Sequence, residues 1–259
     1  MLELEQNWQN YRTLINDHLA IISVNMEMFS GFPSPQHDKI AHFSLPYEAG
    51  EDGLPKPEEQ ESMFRNIIKS LSQVCALPDI LYAGHIISDG KVSIYFYIEH
   101  EQPFIETVLQ LVPLEEIKIQ VDPDWDTYFD FLLPSQLEIK FSLTEDILDT
   151  MVENGLDLSQ VYTVEHGFHF DHKEDMEDFI EKCSLQNISF STIRYTDSPV
   201  QVENMEHPVY LLKLEQELQL DNQDIFNAVE QFDELSRQYA MEYIGWEHAD
   251  FGEDKKYLN

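Results

Sequence analysis

Basic residues are scarce in this chain: 15 Lys and Arg face 50 Asp and Glu, leaving a formal charge of −35 over 259 residues. A field of that sign repels nucleic acid and anionic lipid, which disfavours direct binding to either. Cysteine is scarcer still. Cys75 and Cys183 each stand alone at an apolar helical position, so both read as buried free thiols in a reducing compartment, with no disulfide framework and no Cys-x-x-Cys site. Long apolar runs are missing. The longest aliphatic stretch, Leu19 to Ile22, falls far short of the roughly 20 residues of a membrane span. The amino-terminal MLELEQNWQNYR is acidic with no apolar stretch behind it, so no signal peptide is expected and a cytoplasmic location is. With 9 glycines, the chain has no Gly-rich phosphate loop and no Gly-x-Ser-x-Gly elbow, and no cofactor is expected.

Aromatic and aliphatic side chains are plentiful. An apolar share of 42%, with 16 Phe, 12 Tyr and 3 Trp, is ample for a sizeable core, so the acidity does not signal disorder. The length is comfortable for two domains. Up to residue 140 there are 23 acids and 8 bases, and beyond it 27 and 7. Both halves share the bias, so the acidity suggests a basic protein partner or, as the alternative, only a solvated surface.

Hydrophobic periodicity gives the order of elements. Strand patterns at 19–29 and 39–47 flank a loop holding Gly31, Pro33 and Pro35. Pro57, Glu58 and Glu59 open a helix with Phe64, Ile67, Ile68, Leu71, Val74 and Cys75 on one face. Asp89-Gly90 between apolar runs at 80–88 and 91–99 signals a hairpin. A helix near 101–111 and a strand at 115–121 follow, and the acid-fringed Trp125 is expected to pack between domains. Pro134-Ser135 marks a break. Ser142-Leu-Thr-Glu145 then reads as a capping box opening a helix that Gly155 stops. The remaining order is strand 160–170, helix 173–185, strands 188–196 and 207–215, and a helix at 222–241 capped by Asp221. The prediction is an α+β protein of two domains, 1–138 and 139–259, each an antiparallel sheet with helices packed on it.

Residues 164–172, VEHGFHFDH, hold three histidines and two carboxylates. In a strand, Tyr162, Val164, His166, Phe168 and Phe170 point one way, and Thr163, Glu165, Gly167, His169 and Asp171 the other. His166 and His169 therefore cannot chelate together, and His166 reads as a core histidine. Glu165, His169 and Asp171 remain on the polar face. They are a candidate metal or hydrolytic set, a partner-binding surface, or simply a solvated strand face, which is the weightiest of the three readings. Tyr243-Ile-Gly-Trp246, straight after the last helix, holds aromatics that either dock on a core edge or serve as exposed anchors.

Family resemblance enters on these residues. Gly155-Leu-Asp-Leu158, Val164-Glu-His166 leading into Phe168 and Phe170, and Tyr243-x-Gly-Trp246 resemble the bacterial regulator of ribonuclease E activity B family over about residues 140–248. Trp8, Gly53-Leu-Pro55 before Glu58-Glu59, and Tyr95-x-Tyr97 make the first half similar to domain-of-unknown-function family 695. The resemblance implies a ferredoxin-like second domain and a small acidic protein that binds ribonuclease E, whose RNA-binding scaffold region is basic, and inhibits RNA turnover without catalysis. Glu165, His169, Asp171, Tyr243 and Trp246 are the expected partner-binding residues. One departure stands out: Ile244 occupies the place where the family usually has Asp.

Overall fold

The computed structural model describes residues 7–248 apart from 112, 187 and 204. Residues 1–6, part of the stretch that suggested no signal peptide, lie outside them. Two compact units meet between residues 138 and 139. Among the described residues no helix is long and apolar enough to cross a membrane.

The first unit is built on six antiparallel strands, β1 (Trp8–Ile15), β2 (His18–Asn25), β3 (Lys39–Pro46), β4 (Ile80–Ser88), β5 (Lys91–Ile98) and β6 (Glu116–Val121), in the order β1-β2-β4-β5-β3-β6. Two of its hairpins turn through residue pairs with positive φ: Asn16 (50°) with Asp17 (65°), and Asp89 (46°) with Gly90 (76°). Such turns match the twist of the flanking strands. The second hairpin is the predicted one. The first pairs β2 with a strand the periodicity did not reveal, because β1 is an edge strand with little apolar alternation.

Helices α1 (Pro57–Val74) and α2 (Glu101–Val108) cover one face of this sheet over Phe43, Ile94 and Phe96. On α1 the buried stripe is Met63, Ile67, Ser70 and Val74, whereas Phe64 and Ile68 are exposed, and so is Cys75. The expected stripe is corrected by about one residue of rotation: a step of four, three and four residues traces a narrow seam, and the neighbours at 64 and 68 sit about 100° around it.

The other face of the sheet is covered at one end by a 3₁₀ turn, Met28–Gly31, and a π-helical turn, Thr127–Leu132, which seats Tyr128 and Leu132 with Trp125 on Ile22, Ile40 and Tyr97. Trp125 is therefore a core residue of the first unit and does not pack between domains. Its indole N–H donates to the His37 carbonyl at 2.8 Å, and its ring stacks on Tyr97 at 4.6 Å. Asp122 explains the acid-rich sequence around it. The carboxylate accepts from the Asp126 and Thr127 amides at 2.8 and 3.1 Å and from the Tyr97 hydroxyl at 2.7 Å, fixing the turn that delivers the tryptophan.

Helix α3 (Gln136–Glu153) starts six residues earlier than Ser142 suggested. The working capping box is Ser135/Glu138: the Ser135 amide donates to Glu138 Oε2 at 2.7 Å and the Glu138 amide donates to Ser135 Oγ at 3.2 Å. Two Ser-x-x-Glu motifs lie in succession, and the one beside the helix-breaking Pro134 wins. Gly155, at φ +80°, ends the helix as expected.

The second unit continues with β7 (Val161–Phe170), α4 (Lys173–Leu185), β8 (Thr192–Tyr195), β9 (Tyr210–Gln219), α5 (Asp224–Ser236) and β10 (Met241–His248), forming a four-stranded antiparallel sheet in the order β10-β7-β9-β8. This succession of strand, helix, two strands, helix and strand is a split βαβ order. The expected helix at 222–241 ends at Ser236; a turn at 237–240 takes the place of its last part, and β10 follows and pairs with β7. Asn222, rather than Asp221, holds the start of α5, accepting from the Asp224 amide at 2.8 Å. β8 is shorter than the predicted 188–196, and β2 stops at Asn25 rather than 29.

Gly84 marks the tightest strand contact of the first unit. It follows a register shift in β4, and a Cβ there would run into the Ser23 carbonyl oxygen on β2. Gly84→Ala is expected to cost at least about 2 kcal/mol in urea unfolding of the full chain. An unchanged midpoint would mean that the two backbones separate freely.

Candidate functional site

Strand β7 lies between β10 and β9, so its residues have neighbours on both sides. Its core-facing row is aromatic: Phe168 lies 5.0 Å from Phe179, 5.1 Å from Phe232 and 5.1 Å from Tyr243 between ring centroids. His166 belongs to this row, fully buried, and shares a 2.8 Å hydrogen bond through Nδ1 with the Tyr243 hydroxyl. Burial pushes the imidazole down to about 3 and the Tyr243 phenol upward, so the two meet as a neutral pair. His166 is thus the core histidine that the alternation predicted.

Across the opposite face, the register aligns Glu247, Glu165 and Glu215 on β10, β7 and β9. Three carboxylates side by side would repel one another. Lys213 and Arg194, one row along, resolve the conflict. Lys213 bonds Glu165 and reaches Glu247 at 3.0 Å, while Arg194 bonds Glu165 and reaches Glu215 at 2.6 Å. Burial alone would raise the Glu165 carboxyl, but the hydrogen bonds from Lys213 and Arg194 outweigh it and hold it below its ordinary range.

The other two members of the polar set are turned elsewhere. His169 Nδ1 is 3.8 Å from Glu242, and Asp171 Oδ1 is hydrogen-bonded to His207 Nε2 at 2.8 Å. Glu165, His169 and Asp171 therefore share a strand face but do not converge, and among the described residues no group of three or more His, Cys, Asp or Glu could hold a metal. The metal-site reading is corrected for that reason. The partner-binding set changes too. Glu165 is buried under two intrachain cations, and Tyr243 lies in the core, so neither is presented to a partner. Trp246 is also mostly covered, its indole N–H donating to Thr144 Oγ1 at 2.9 Å. Asp171 stays at the surface.

What the strand does present is Ile244. The pairing with β7 slips between Tyr243 and Gly245, leaving Ile244 as an extra residue, and Gly245 takes φ +106° to accommodate it. The Ile244 side chain lies over Gly167: a Cβ on that glycine would come 2.7 Å from Ile244 Cδ1. Ile244 also borders a groove of about 410 Å³ between β10 and α3, lined by Leu143, Ile147 and Met151 on one side and by Trp246 on the other. Asp146, Glu247 and Lys140 line it as well, Glu247 paired with Lys213 at 3.0 Å and Lys140 with Asp233 at 2.9 Å. Leu143 and Ile244 are 52% and 50% exposed, so the groove opens to solvent through apolar side chains.

The sequence reading singled out neither Arg194 nor Lys213; of the groove's α3 residues it placed Ile147 and Met151 on the helix's apolar positions but not Leu143. One signal was available for the first pair. In a chain with 15 cations, a Lys or Arg on a strand is a strong candidate for an intrachain ion pair. The groove had no such signal, because a helix begun at Ser142 puts Leu143 in its first turn rather than on an open side.

Fold and site together define a two-unit α+β protein whose second unit offers an open, largely apolar groove beside a neutralised ion-pair face. Residues 142–248 match the family described as Regulator of ribonuclease activity B, and residues 6–133 match a family of unknown function (DUF695). The two resemblances read from the sequence are thereby shown in order and extent. No match to the chain is found among curated proteins.

Two measurements probe this geometry. Glu165→Gln leaves Lys213 and Arg194 facing a neutral amide and is expected to lower stability by about 2 kcal/mol near neutral pH. A loss under a few tenths would show that solvent screens the cluster. The neutral His166 gives a pH signature. It titrates at its ordinary 6.5 when unfolded and at about 3 when folded, so the unfolded state binds the extra proton and stability falls as pH drops from 6.5 towards 3. His166→Phe is expected to flatten the pH dependence of the unfolding free energy by up to about 1.4 kcal/mol per pH unit in that window. An unchanged slope would mean that the imidazole is protonated in the fold.

Proposed function

We propose that the protein is a non-catalytic binding regulator, whose acidic second unit engages a basic segment of a ribonuclease and keeps RNA from that segment. The observation that carries the reading is the match of residues 142–248 to the regulator of ribonuclease activity B, on an acidic unit whose open groove is largely apolar, with Asp146 in its lining. A basic segment with one or two large apolar side chains fits that chemistry. Its hydrophobic residues lie against Leu143, Ile147 and Ile244, and its lysines or arginines meet Asp146, Glu247 being already paired with Lys213. The −35 charge speeds the encounter. Inhibition then follows from occlusion, because RNA and an acidic protein compete for the same cations. Ribonuclease E, the partner implied by the family resemblance, is the first target to test, and the reading places the protein in the cytoplasm with it.

The test is a titration of the full chain with the basic scaffold segment of ribonuclease E at two ionic strengths. Affinity is expected to fall at least about tenfold between about 50 mM and about 200 mM salt. Leu143→Ala and Ile244→Ala, both at exposed positions, are expected to weaken binding about tenfold without loss of fold. Salt-independent binding would remove the electrostatic mechanism, and unaffected variants would remove the groove.

A further inference from the structure

The first unit holds a second cavity, unrelated to the groove. Trp125 and Tyr128 cover the sheet face around Tyr97 and Ile40, but further along the same face the side chains turn polar. Tyr95 pairs across with His42 and His42 with Lys118, while Ser93 pairs with Ser44, whose hydroxyl is 3.0 Å away. These strands floor a cavity of about 330 Å³ lined by Lys91 and Lys118, by the carboxylates Asp89 and Glu116, and by Ile15, Ile86 and Phe131 as an apolar wall.

Three features ask for the same missing group. The chain has 15 cations among 50 acids, yet two of them border this one cavity, and among the described residues Lys91 has no ion-pair partner. Lys118 is 2.8 Å from Glu116, so one carboxylate answers it and Lys91 is left over. Second, His42 Nδ1 is buried with no hydrogen-bond partner, its ring held flat against Tyr95 at 4.8 Å. Burial, reinforced by Lys118 and Lys91, lowers the His42 pKa and keeps the ring neutral, so it offers an N–H without adding charge. Third, the floor is hydroxyl-bearing, through Ser93 and Tyr95. Ammonium, imidazole and hydroxyl groups are all donors; of the two carboxylates in the lining, Glu116 is taken by Lys118 and Asp89 makes no ion pair with Lys91, which leaves room for a further acceptor with negative charge. The apolar wall beside them fits a body of carbon rather than a bare ion.

We propose that this cavity binds a small organic oxyanion, a carboxylate or a phosphate ester on an apolar or aromatic body, with its charged end between Lys91 and Lys118 over Ser93 and His42. The first unit is then a ligand-binding module in its own right. The inference does not rest on the regulator reading, which concerns the other unit.

The experiment titrates the full chain with benzoate and, separately, with phenyl phosphate, following binding by calorimetry and by the ring resonances of His42 and Tyr95. One saturable site is expected for at least one probe. Benzoate alone would assign a carboxylate ligand, phenyl phosphate alone a phosphate ester, and both an oxyanion site that accepts either. Lys91→Gln and Lys118→Gln are expected to weaken binding at least about tenfold, whereas Lys69→Gln, an exposed change of equal charge on α1, alters it less than about twofold. Failure of both probes to saturate would overturn the proposal. So would an equal loss in Lys69→Gln, since that would reduce the effect to overall charge.

Discussion

The two-residue period of β7, sandwiched between β10 and β9, is the constraint on which the second unit depends. One side of the strand supplies His166, Phe168 and Phe170 to the aromatic core, and the other supplies Glu165 to the ion-pair face. A slip of one residue would drive Glu165 among the rings and expose the phenylalanines, so the register is fixed by both faces at once. The same alignment sets Glu165 between Glu215 and Glu247, a row that holds together only because Lys213 and Arg194 come from β9 and β8 in the next row. Scarce cations are thus committed to the sheet, and the rest of the unit's surface is left negative.

The bulge at Ile244 links this frame to the groove. The pairing slips between Tyr243 and Gly245, so Gly245 stands opposite Gly167 and the Ile244 side chain lies over that glycine. The extra residue turns Ile244 outward, covers the glycine, and adds an apolar edge facing Leu143 and Ile147 on α3. Ile244, between Tyr243 and Gly245, thus shapes a surface. The resulting patch is apolar in an otherwise acidic unit, a combination suited to a basic segment with hydrophobic anchors.

Charge works on two length scales here. At the distance of an approaching partner the whole acidic field acts, attracting cations and repelling RNA. Within the cavity of the first unit only the nearest groups count, because salt screens charges beyond about 8 Å at physiological strength. Lys91 and Lys118, with Asp89 and Glu116 beside them, therefore leave that cavity balanced in charge within a strongly acidic molecule.

The sequence by itself determined what depends on neighbours along the chain. Alternation in VEHGFHFDH separated His166 from Glu165, Asp89-Gly90 turned a hairpin, Gly155 ended α3, and the bounds of α4 at 173–185 follow from its own period. Each is a local rule of backbone geometry. The two family resemblances were legible for a similar reason, as short motifs in a fixed order. Only the tertiary structure decided the use of those residues. The partners of Glu165 are 29 and 48 positions away, and Tyr243 reaches His166 across 77, separations at which no periodicity points from one residue to the other. β10 was hidden because its bulge breaks the alternation that identifies a strand, and Ser135 outcompeted Ser142 because a neighbouring proline settled where the helix begins. Whether a carboxylate is a ligand, an anchor or half of an ion pair depends on what the fold brings beside it, and that is set by strand order.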